Sequence, residues 1–131
     1  MSEQNLALLG LASNSPDCGQ QMQLCIDTLR SIDGSLTVSP AYKTRAVSQR
    51  PVPDYLNAVA RIRTTDTYEA FHARMKEIET QQGRTPLSKQ TGIIPIDIDI
   101  VVWNDEVMRP RDLQHEYMQK GLRMLGIEIN G

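Results

Sequence analysis

Residues 94–103, IPIDIDIVVW, place two aspartates inside an otherwise apolar run, and this alternation constrains the fold more than any other feature. Side chains along a β-strand point to opposite faces in turn, so Ile96, Ile98 and Ile100 share one face while Asp97 and Asp99 share the other. An unpaired carboxylate is costly to bury. The segment therefore predicts a strand in a sheet that has one covered, apolar face and one face open to solvent or to a ligand.

Hydrophobic periodicity predicts further elements on both sides of this strand. Alternating or continuous apolar runs predict strands, whereas apolar residues at spacings of three and four predict helices. The predicted elements, in chain order, are a strand at 5–13, a helix from Cys18 to the Asp-Gly of 33–34, a strand at 36–42, a loop at 45–54, a strand at 55–64, a helix from a cap at Thr65 or Asp66 to Gly83, a loop at 84–92, the strand with the two aspartates, and a helix at 111–126.

The order strand, helix, strand, strand, helix, strand indicates an α+β fold of the ferredoxin-like, split β-α-β type. Both helices are then expected on one face of an antiparallel sheet, and the site on the other face. Alternation at 36–42 predicts that Val38 and Tyr42 share a face, with Pro40 at an edge or a bulge. The 131 residues fit one domain, 1–131.

Composition and charge exclude several classes of protein. The net charge of −2 argues against a general nucleic-acid binder and against electrostatic binding to a membrane. No apolar run reaches the ~18 residues of a membrane span, and the first ten residues lack the basic start of a signal peptide. Cys18 and Cys25 fit no metal-binding spacing. We therefore expect a reduced, cytoplasmic protein.

The two aspartates suggest a metal site on the open face of the sheet. Period-two spacing places Asp97 and Asp99 on the same side, roughly 6–7 Å apart along the strand. Mg²⁺ takes one or two carboxylates and completes its shell with water and phosphate oxygens. The alternative is a strand face that is acidic and exposed without binding anything.

Several segments resemble the 6-hydroxymethyl-7,8-dihydropterin pyrophosphokinase family of folate biosynthesis. The strand with the aspartates is similar to the family's Leu-Asp-Leu-Asp-Ile strand, and residues 53–62, PDYLNAVARI, resemble its Pro-Asp-Tyr-Leu-Asn segment. The other matching segments are SPAYKT at 39–44, IETQQGR at 78–84 and LQHEYM at 113–118. The resemblance implies a ferredoxin-like fold, which the order of predicted elements indicates separately.

The resemblance also implies an activity and its site residues. Enzymes of this family transfer the pyrophosphoryl group of ATP, with Mg²⁺, to the hydroxymethyl group of the pterin and leave AMP. Positioning and charge neutralisation dominate such chemistry. The small-molecule partners implied are ATP and the pterin. The implied roles are Asp97 and Asp99 as metal ligands, these two with Arg84 as catalytic residues, Asn57, Tyr55 and Thr44 at the pterin, and Glu79 and His115 at the nucleotide.

The chain departs from the family pattern at catalytic positions. Where the family carries Trp-Gly-Pro-Arg, this chain has TGII, so Thr91 stands for the tryptophan and Ile94 for the arginine. Loss of a cation beside transferring phosphates should lower the rate. The aromatic residue that stacks on the pterin in the family has no counterpart, and the nearest position carries Arg123. The residues that could supply basic groups instead are Arg109, Arg111, Lys120 and Arg123.

Three functions are compatible with these departures. The protein could be a divergent enzyme, a catalytically impaired relative that binds nucleotide or pterin, or an interaction or oligomerisation domain without enzymatic activity. Asp97, Asp99 and Asn57 favour a surviving ligand site, whereas Thr91 and Ile94 disfavour efficient catalysis. Many family members continue past this point, so we expect the region that closes the fold to be shorter here.

Overall fold

A computed structural model describes residues 4–45 and 53–129 and contains a six-stranded antiparallel sheet. β1 lies between β4 and β5, β6 extends the sheet beyond β5, and β2 and β3 both pair with β4 on its far side. This order confirms the ferredoxin-like α+β prediction. The elements are β1 (Asn5–Ser13), α1 (Cys18–Ile32), β2 (Thr37–Val38), β3 (Tyr42–Thr44), β4 (Tyr55–Thr64), α2 (Tyr68–Gln81), α3 (Leu87–Thr91), β5 (Asp97–Trp103), β6 (Glu106–Val107), α4 (Pro110–Gln114) and α5 (Glu116–Leu125).

The first face of the sheet carries the larger apolar cluster and is covered by α1 and α2. Met22 and Leu29 of α1 and Phe71 and Met75 of α2 pack there against alternate residues of β1, β4 and β5. The predicted inward isoleucines of β5 are buried in this cluster. Each such side chain stabilises the fold by about 2 kcal/mol. The apolar half of the alternation in β5 therefore fixes which face of that strand meets the helices.

A β-bulge interrupts β5 and places the start of α4. Leu9 pairs with Ile100 but Leu8 pairs with Val102, so Val101 is an extra residue on β5. Val101 and Val102 consequently both join the apolar cluster on the second face. The carbonyl oxygen of Val101 accepts hydrogen bonds from the backbone N–H groups of the two residues that precede α4, Met108 at 2.8 Å and Arg109 at 3.3 Å.

A second irregularity corrects the predicted strand at 36–42. Val38 pairs with Ala60 and Tyr42 with Asn57, so this side has one residue more than β4 over the same length. The bulge predicted at Pro40 is thereby confirmed, but the prediction that Val38 and Tyr42 share a face is wrong. Val38 packs against the first-face cluster, whereas the Tyr42 hydroxyl donates to the carbonyl oxygen of Tyr117 on the second face. The extra residue reverses the alternation.

The second face is less open than predicted because α4 and α5 cover part of it. Leu113, Met118 and Leu122 of these helices pack on Val59 and on the neighbouring apolar residues of β1 and β5. Gly121 allows the close approach, since a Cβ there would overlap Val59 Cγ2. The helix predicted at 111–126 is present as two helices, broken at His115.

Smaller differences concern helix ends and loops. The cap of α2 is Thr67, whose hydroxyl accepts from the Ala70 N–H at 3.2 Å, rather than Thr65 or Asp66. The segment 84–92, predicted as a loop, contains the short helix α3. The predicted loop at 45–54 lies mostly outside the described residues. Within residues 4–45 and 53–129, no helix is both long and apolar enough to cross a membrane.

Candidate active site

A cleft of about 750 Å³ occupies the part of the second face that α4 and α5 leave uncovered. Its walls come from β1, β3, β4, β5, the segment that follows α2, and the α4–α5 region. The predicted site residues that line it are Thr44, Tyr55, Asn57, Arg84, Asp97, Asp99 and His115. Glu79 is the predicted site residue that does not line the cleft.

Asp97 and Asp99 form a crowded carboxylate pair in this cleft. Their side chains are 29% and 19% exposed. Burial, followed by the negative charge of Asp97, raises the pKa of Asp99 to about 7, and the charge of Asp112 acts in the same direction. The pair therefore carries two full negative charges at neutral pH only at a cost, which a cation bound between them would remove.

Arg84 is held against Asp97 by the end of α2. Gly83, with a φ of +104°, leaves the helical path, and the Arg84 N–H bonds the carbonyl oxygen of Glu79 at 3.0 Å while the Gly83 N–H bonds that of Thr80. This is a Schellman cap, which fixes the direction of the chain after the helix. The Arg84 guanidinium then donates to Asp97 Oδ1 at 2.7 Å and to Glu79 Oε2 at 2.9 Å.

The charge of Arg84 is stabilised by these two carboxylates. Burial alone would lower the pKa of Arg84, but the hydrogen bond to Asp97 and the negative charges of Asp97 and Glu79 outweigh that effect and raise it. The guanidinium is therefore a fixed cation beside the carboxylate pair.

Glu79 lies beneath the cleft, where it supports both neighbouring segments. Its side chain is 4% exposed, and Oε2 accepts from Arg84 and from the backbone N–H of Ile98 at 2.7 Å. Oε1 accepts from Lys76 at 3.2 Å. In this position Glu79 ties the end of α2 to the start of β5. The geometry favours a positioning role for Glu79, and direct contact with a nucleotide stays a prediction.

Arg109, Asp112 and Tyr117 form a network on the Asp99 side of the cleft. The Arg109 Nε donates to Asp112 Oδ2, and the Tyr117 hydroxyl donates to Asp112 Oδ1 at 3.0 Å. Arg109 Nη1 lies 3.9 Å from Asp99 Oδ1. The hydrogen bond to Asp112, against partial burial, raises the pKa of Arg109. Burial and the bond to Asp112 raise the pKa of Tyr117 above its usual value.

Asn57, Thr44 and Tyr55 meet at another wall of the cleft. β3 and β4 pair Thr44 with Tyr55, and the Asn57 Nδ2 donates to Thr44 Oγ1 and, at 3.3 Å, to the carbonyl oxygen of Tyr55. Asn57 is 3% exposed. Burial and the negative charge of Asp97 raise the pKa of Tyr55, which keeps its hydroxyl protonated. This wall therefore offers a buried amide beside a neutral aromatic ring.

His115 lies at the break between α4 and α5 and lines the opposite wall. Its ring packs on that of Tyr117, with the centroids 4.9 Å apart. Further along α5, the Lys120 ammonium lies 5.1 Å from the centre of the Tyr42 ring. The irregular backbone at His115 is thus what turns this side chain into the cleft.

Of the four basic residues named from the sequence, two line the cleft and two do not. Arg109 and Lys120 line the cleft, whereas Arg111 and Arg123 are not among its lining residues. Arg123 instead pairs with Glu116 at 2.6 Å. Lining residues that the sequence did not single out include Lys43, Arg45, Asp112 and Tyr117. Lys43 and Arg45 flank the predicted site residue Thr44, which was the available signal for them.

The donor set of the carboxylate pair fits a hard cation such as Mg²⁺. Two carboxylates share one strand face, and their mutual repulsion shows in the raised pKa of Asp99. Among residues 4–45 and 53–129, no group of three or more His, Cys, Asp or Glu side chains is placed to hold a metal ion. A cation held by Asp97 and Asp99 would therefore need further oxygen ligands, and water or phosphate oxygens supply these in Mg²⁺ sites.

Comparison with known proteins relates this chain to one protein family. The family model for 7,8-dihydro-6-hydroxymethylpterin-pyrophosphokinase matches residues 8–126. A 2-amino-4-hydroxy-6-hydroxymethyldihydropteridine pyrophosphokinase of Haemophilus influenzae is 28% identical over 105 residues, which cover 79% of this chain and 65% of that protein. The protein with the same name in Aquifex aeolicus is 29% identical over 114 residues, covering 86% of this chain and 71% of that protein.

A third relative is matched over only a small part of its own length. Folic acid synthesis protein fol1 of Schizosaccharomyces pombe is 31% identical over 106 residues, covering 79% of this chain and 14% of that protein. The match thus spans slightly less than two thirds of the Haemophilus influenzae relative and a small part of the Schizosaccharomyces pombe protein.

Proposed function

The chain belongs to the 7,8-dihydro-6-hydroxymethylpterin-pyrophosphokinase family, and from this premise we propose that it transfers the pyrophosphoryl group of ATP to the hydroxymethyl group of 6-hydroxymethyl-7,8-dihydropterin. The observation that carries the proposal is the carboxylate pair Asp97 and Asp99, flanked by arginines in one cleft with a buried amide. The products would be AMP and the pterin pyrophosphate.

Asp97 and Asp99 would hold Mg²⁺, which supplies positive charge to the phosphates when bound. Arg84 adds a fixed guanidinium beside Asp97. Within the described ranges its hydrogen bonds all use Nη1, so its Nε and Nη2 donors remain for a phosphate oxygen. Because Glu79 and the cap of α2 hold Arg84 before a ligand arrives, little reorganisation is needed to stabilise developing charge.

The pterin would bind at the wall formed by Asn57, Thr44 and Tyr55. Among the described residues the Asn57 amide forms its hydrogen bonds through Nδ2, and Oδ1 would accept from an N–H of the pterin ring. The neutral Tyr55 ring offers an apolar surface for the flat pterin. A pterin bound there would lie in the same cleft as the carboxylates, where its hydroxymethyl group would meet the nucleotide phosphates.

One observation favours a second candidate, a relative that binds its ligands without efficient turnover. Ile94 lines the cleft and brings an apolar side chain to the position that carries an arginine in the family. A missing cation beside the phosphates lowers transition-state stabilisation more than it lowers binding of the pterin. The two candidates therefore differ in turnover, with binding common to both.

An assay of AMP release separates these candidates. Purified protein with Mg²⁺, ATP and 6-hydroxymethyl-7,8-dihydropterin should release AMP, and omission of the pterin or addition of EDTA should abolish the release. Mg²⁺-dependent ATP binding without AMP above background would favour the binding protein. Folded protein that neither binds ATP nor releases AMP would contradict both.

A further inference from the structure

Arg109 is anchored at the edge of the cleft by its backbone. Its N–H donates to the carbonyl oxygen of the bulged residue Val101 at 3.3 Å, and its own carbonyl oxygen accepts from Leu113 at 3.0 Å. Val101 is an extra residue in β5, two positions after Asp99. The bulge therefore brings the start of α4 back towards the carboxylate pair and fixes where the Arg109 side chain begins.

The guanidinium of Arg109 is oriented by the carboxylate of Asp112 but does not come within hydrogen-bond distance of Asp99. Nε bonds Asp112, which is itself held by the Tyr117 hydroxyl at 3.0 Å. The Nη1 atom points towards Asp99 but stays 3.9 Å away, which is beyond hydrogen-bond distance. Among the described residues, Nη1 thus lies beside Asp99 without a hydrogen-bond partner, and the side chain is 51% exposed.

Three other cations that line the cleft, Arg84, Lys43 and Lys120, are placed differently. Arg84 donates to two carboxylates and is 26% exposed. Lys43 lies 3.5 Å from the sulfur of Cys18, and Lys120 lies over the Tyr42 ring. Arg109 is therefore a cation at the carboxylate pair whose donors are both oriented and accessible.

We propose that Arg109 is a phosphate-binding residue of this cleft, contacting the nucleotide phosphates held beside Asp99 with its outer guanidinium nitrogens. This inference rests on the proposed function. A divalent cation at Asp97 and Asp99 would neutralise the carboxylates that now attract Arg109, and the guanidinium would then turn to phosphate oxygens, which match its planar pair of donors. Arg109 would thus supply positive charge in a cleft where Ile94 supplies none.

The test is calorimetric binding of Mg²⁺ and α,β-methylene-ATP to Arg109→Gln and to a matched control, Arg111→Gln. Arg111 lies on the same helix but does not line the cleft. Titration at pH 8.5, above the raised pKa of Asp99, limits competition from protons. Arg109→Gln should weaken binding about 10- to 100-fold. Arg111→Gln should change it less than about twofold because exposed charges are screened, and Arg109→Lys should lie between Arg109→Gln and the wild type.

Thermal unfolding of each variant shows that it is folded, and Arg109→Lys serves as the second variant if Arg109→Gln is not. Binding by folded Arg109→Gln within about twofold of the wild type, or an equal loss in Arg111→Gln, would overturn the role of Arg109 and leave the proposed function standing. Absence of Mg²⁺-dependent binding in the wild type would overturn both.

Discussion

The two sides of the carboxylate pair are built differently. On the Asp97 side, Arg84 makes hydrogen bonds of 2.7 and 2.9 Å to Asp97 and to the buried Glu79. On the Asp99 side, Arg109 stays 3.9 Å from its carboxylate and is half exposed. Arg84 is hydrogen-bonded to two carboxylates of the folded protein, whereas Arg109 lies near Asp99 without a hydrogen bond to it. We infer that the first shapes the site in advance and the second responds to what binds.

This difference follows from what anchors each arginine. Arg84 comes directly after a Schellman cap, and Glu79 of the same helix turn ties it to β5. Arg109 is the N-cap residue of a helix of five residues and is oriented by Asp112 on that helix. A buried ion pair tolerates little change because removal of one partner leaves an unpaired charge, whereas an exposed pair is screened by water.

The largest effect on stability is expected from Glu79→Gln, which weakens the contacts that hold Arg84 on the Asp97 side of the carboxylate pair. The variant removes a buried negative charge beside Arg84 and Lys76 and leaves one acceptor oxygen where Glu79 has two, so unfolding free energy should fall by about 3 kcal/mol. Urea denaturation measures this change. The matched control is Glu77→Gln on the exposed face of α2, which should change stability by less than about 0.5 kcal/mol. Equal stabilities of the two variants would show that Glu79 does not hold this side together.

A smaller effect on stability is expected from Asp99→Asn, which tests the Asp99 side of the carboxylate pair. The pKa of Asp99 is raised to about 7 in the folded protein, from 3.8, by burial and by Asp97. In the unfolded chain the proton leaves near pH 4, and in the folded protein it leaves near pH 7. This group therefore stabilises the fold below about pH 4, loses that contribution as the pH rises, and has lost it above pH 7.

In metal-free buffer at pH 8, Asp99→Asn should be about 2 kcal/mol more stable than the wild type, and the difference should shrink at pH 5. Denaturation with EDTA at both pH values measures it. Asp105→Asn, in an exposed turn, is the control and should change stability by less than about 0.5 kcal/mol. A wild type whose stability matches that of Asp99→Asn at pH 8 would mean that the carboxylate pair is not under electrostatic strain.

Local patterns predicted the fold and part of the site. The alternation in β5 correctly placed its isoleucines in the core, and it predicted a shared face for Asp97 and Asp99, both of which line the cleft. Such predictions succeed because strand periodicity is a property of neighbouring residues. The order of elements then sufficed for the ferredoxin-like arrangement.

The remaining features depend on contacts between distant segments. One extra residue near Pro40 turned Tyr42 to the opposite face, and the pairing with β4 is what reveals it. The burial of Glu79 and the approach of Asp112 and Tyr117 to the cleft arise from packing across the sheet. Helical periodicity shows which residues of a helix are buried but not which face of the sheet the helix packs on. The packing of α4 and α5 on the second face was therefore not predicted.

The measurement that tests the central claim most directly is Mg²⁺-dependent ATP binding by Asp97→Ala. Calorimetric titration with ATP, with Mg²⁺ and with EDTA, compares the wild type, Asp97→Ala and the exposed control Asp105→Ala. We predict that the wild type and the control bind ATP only with Mg²⁺, and that Asp97→Ala, although folded, loses this binding. Undiminished Mg²⁺-dependent binding by Asp97→Ala would contradict the assignment of the carboxylate pair as the metal site.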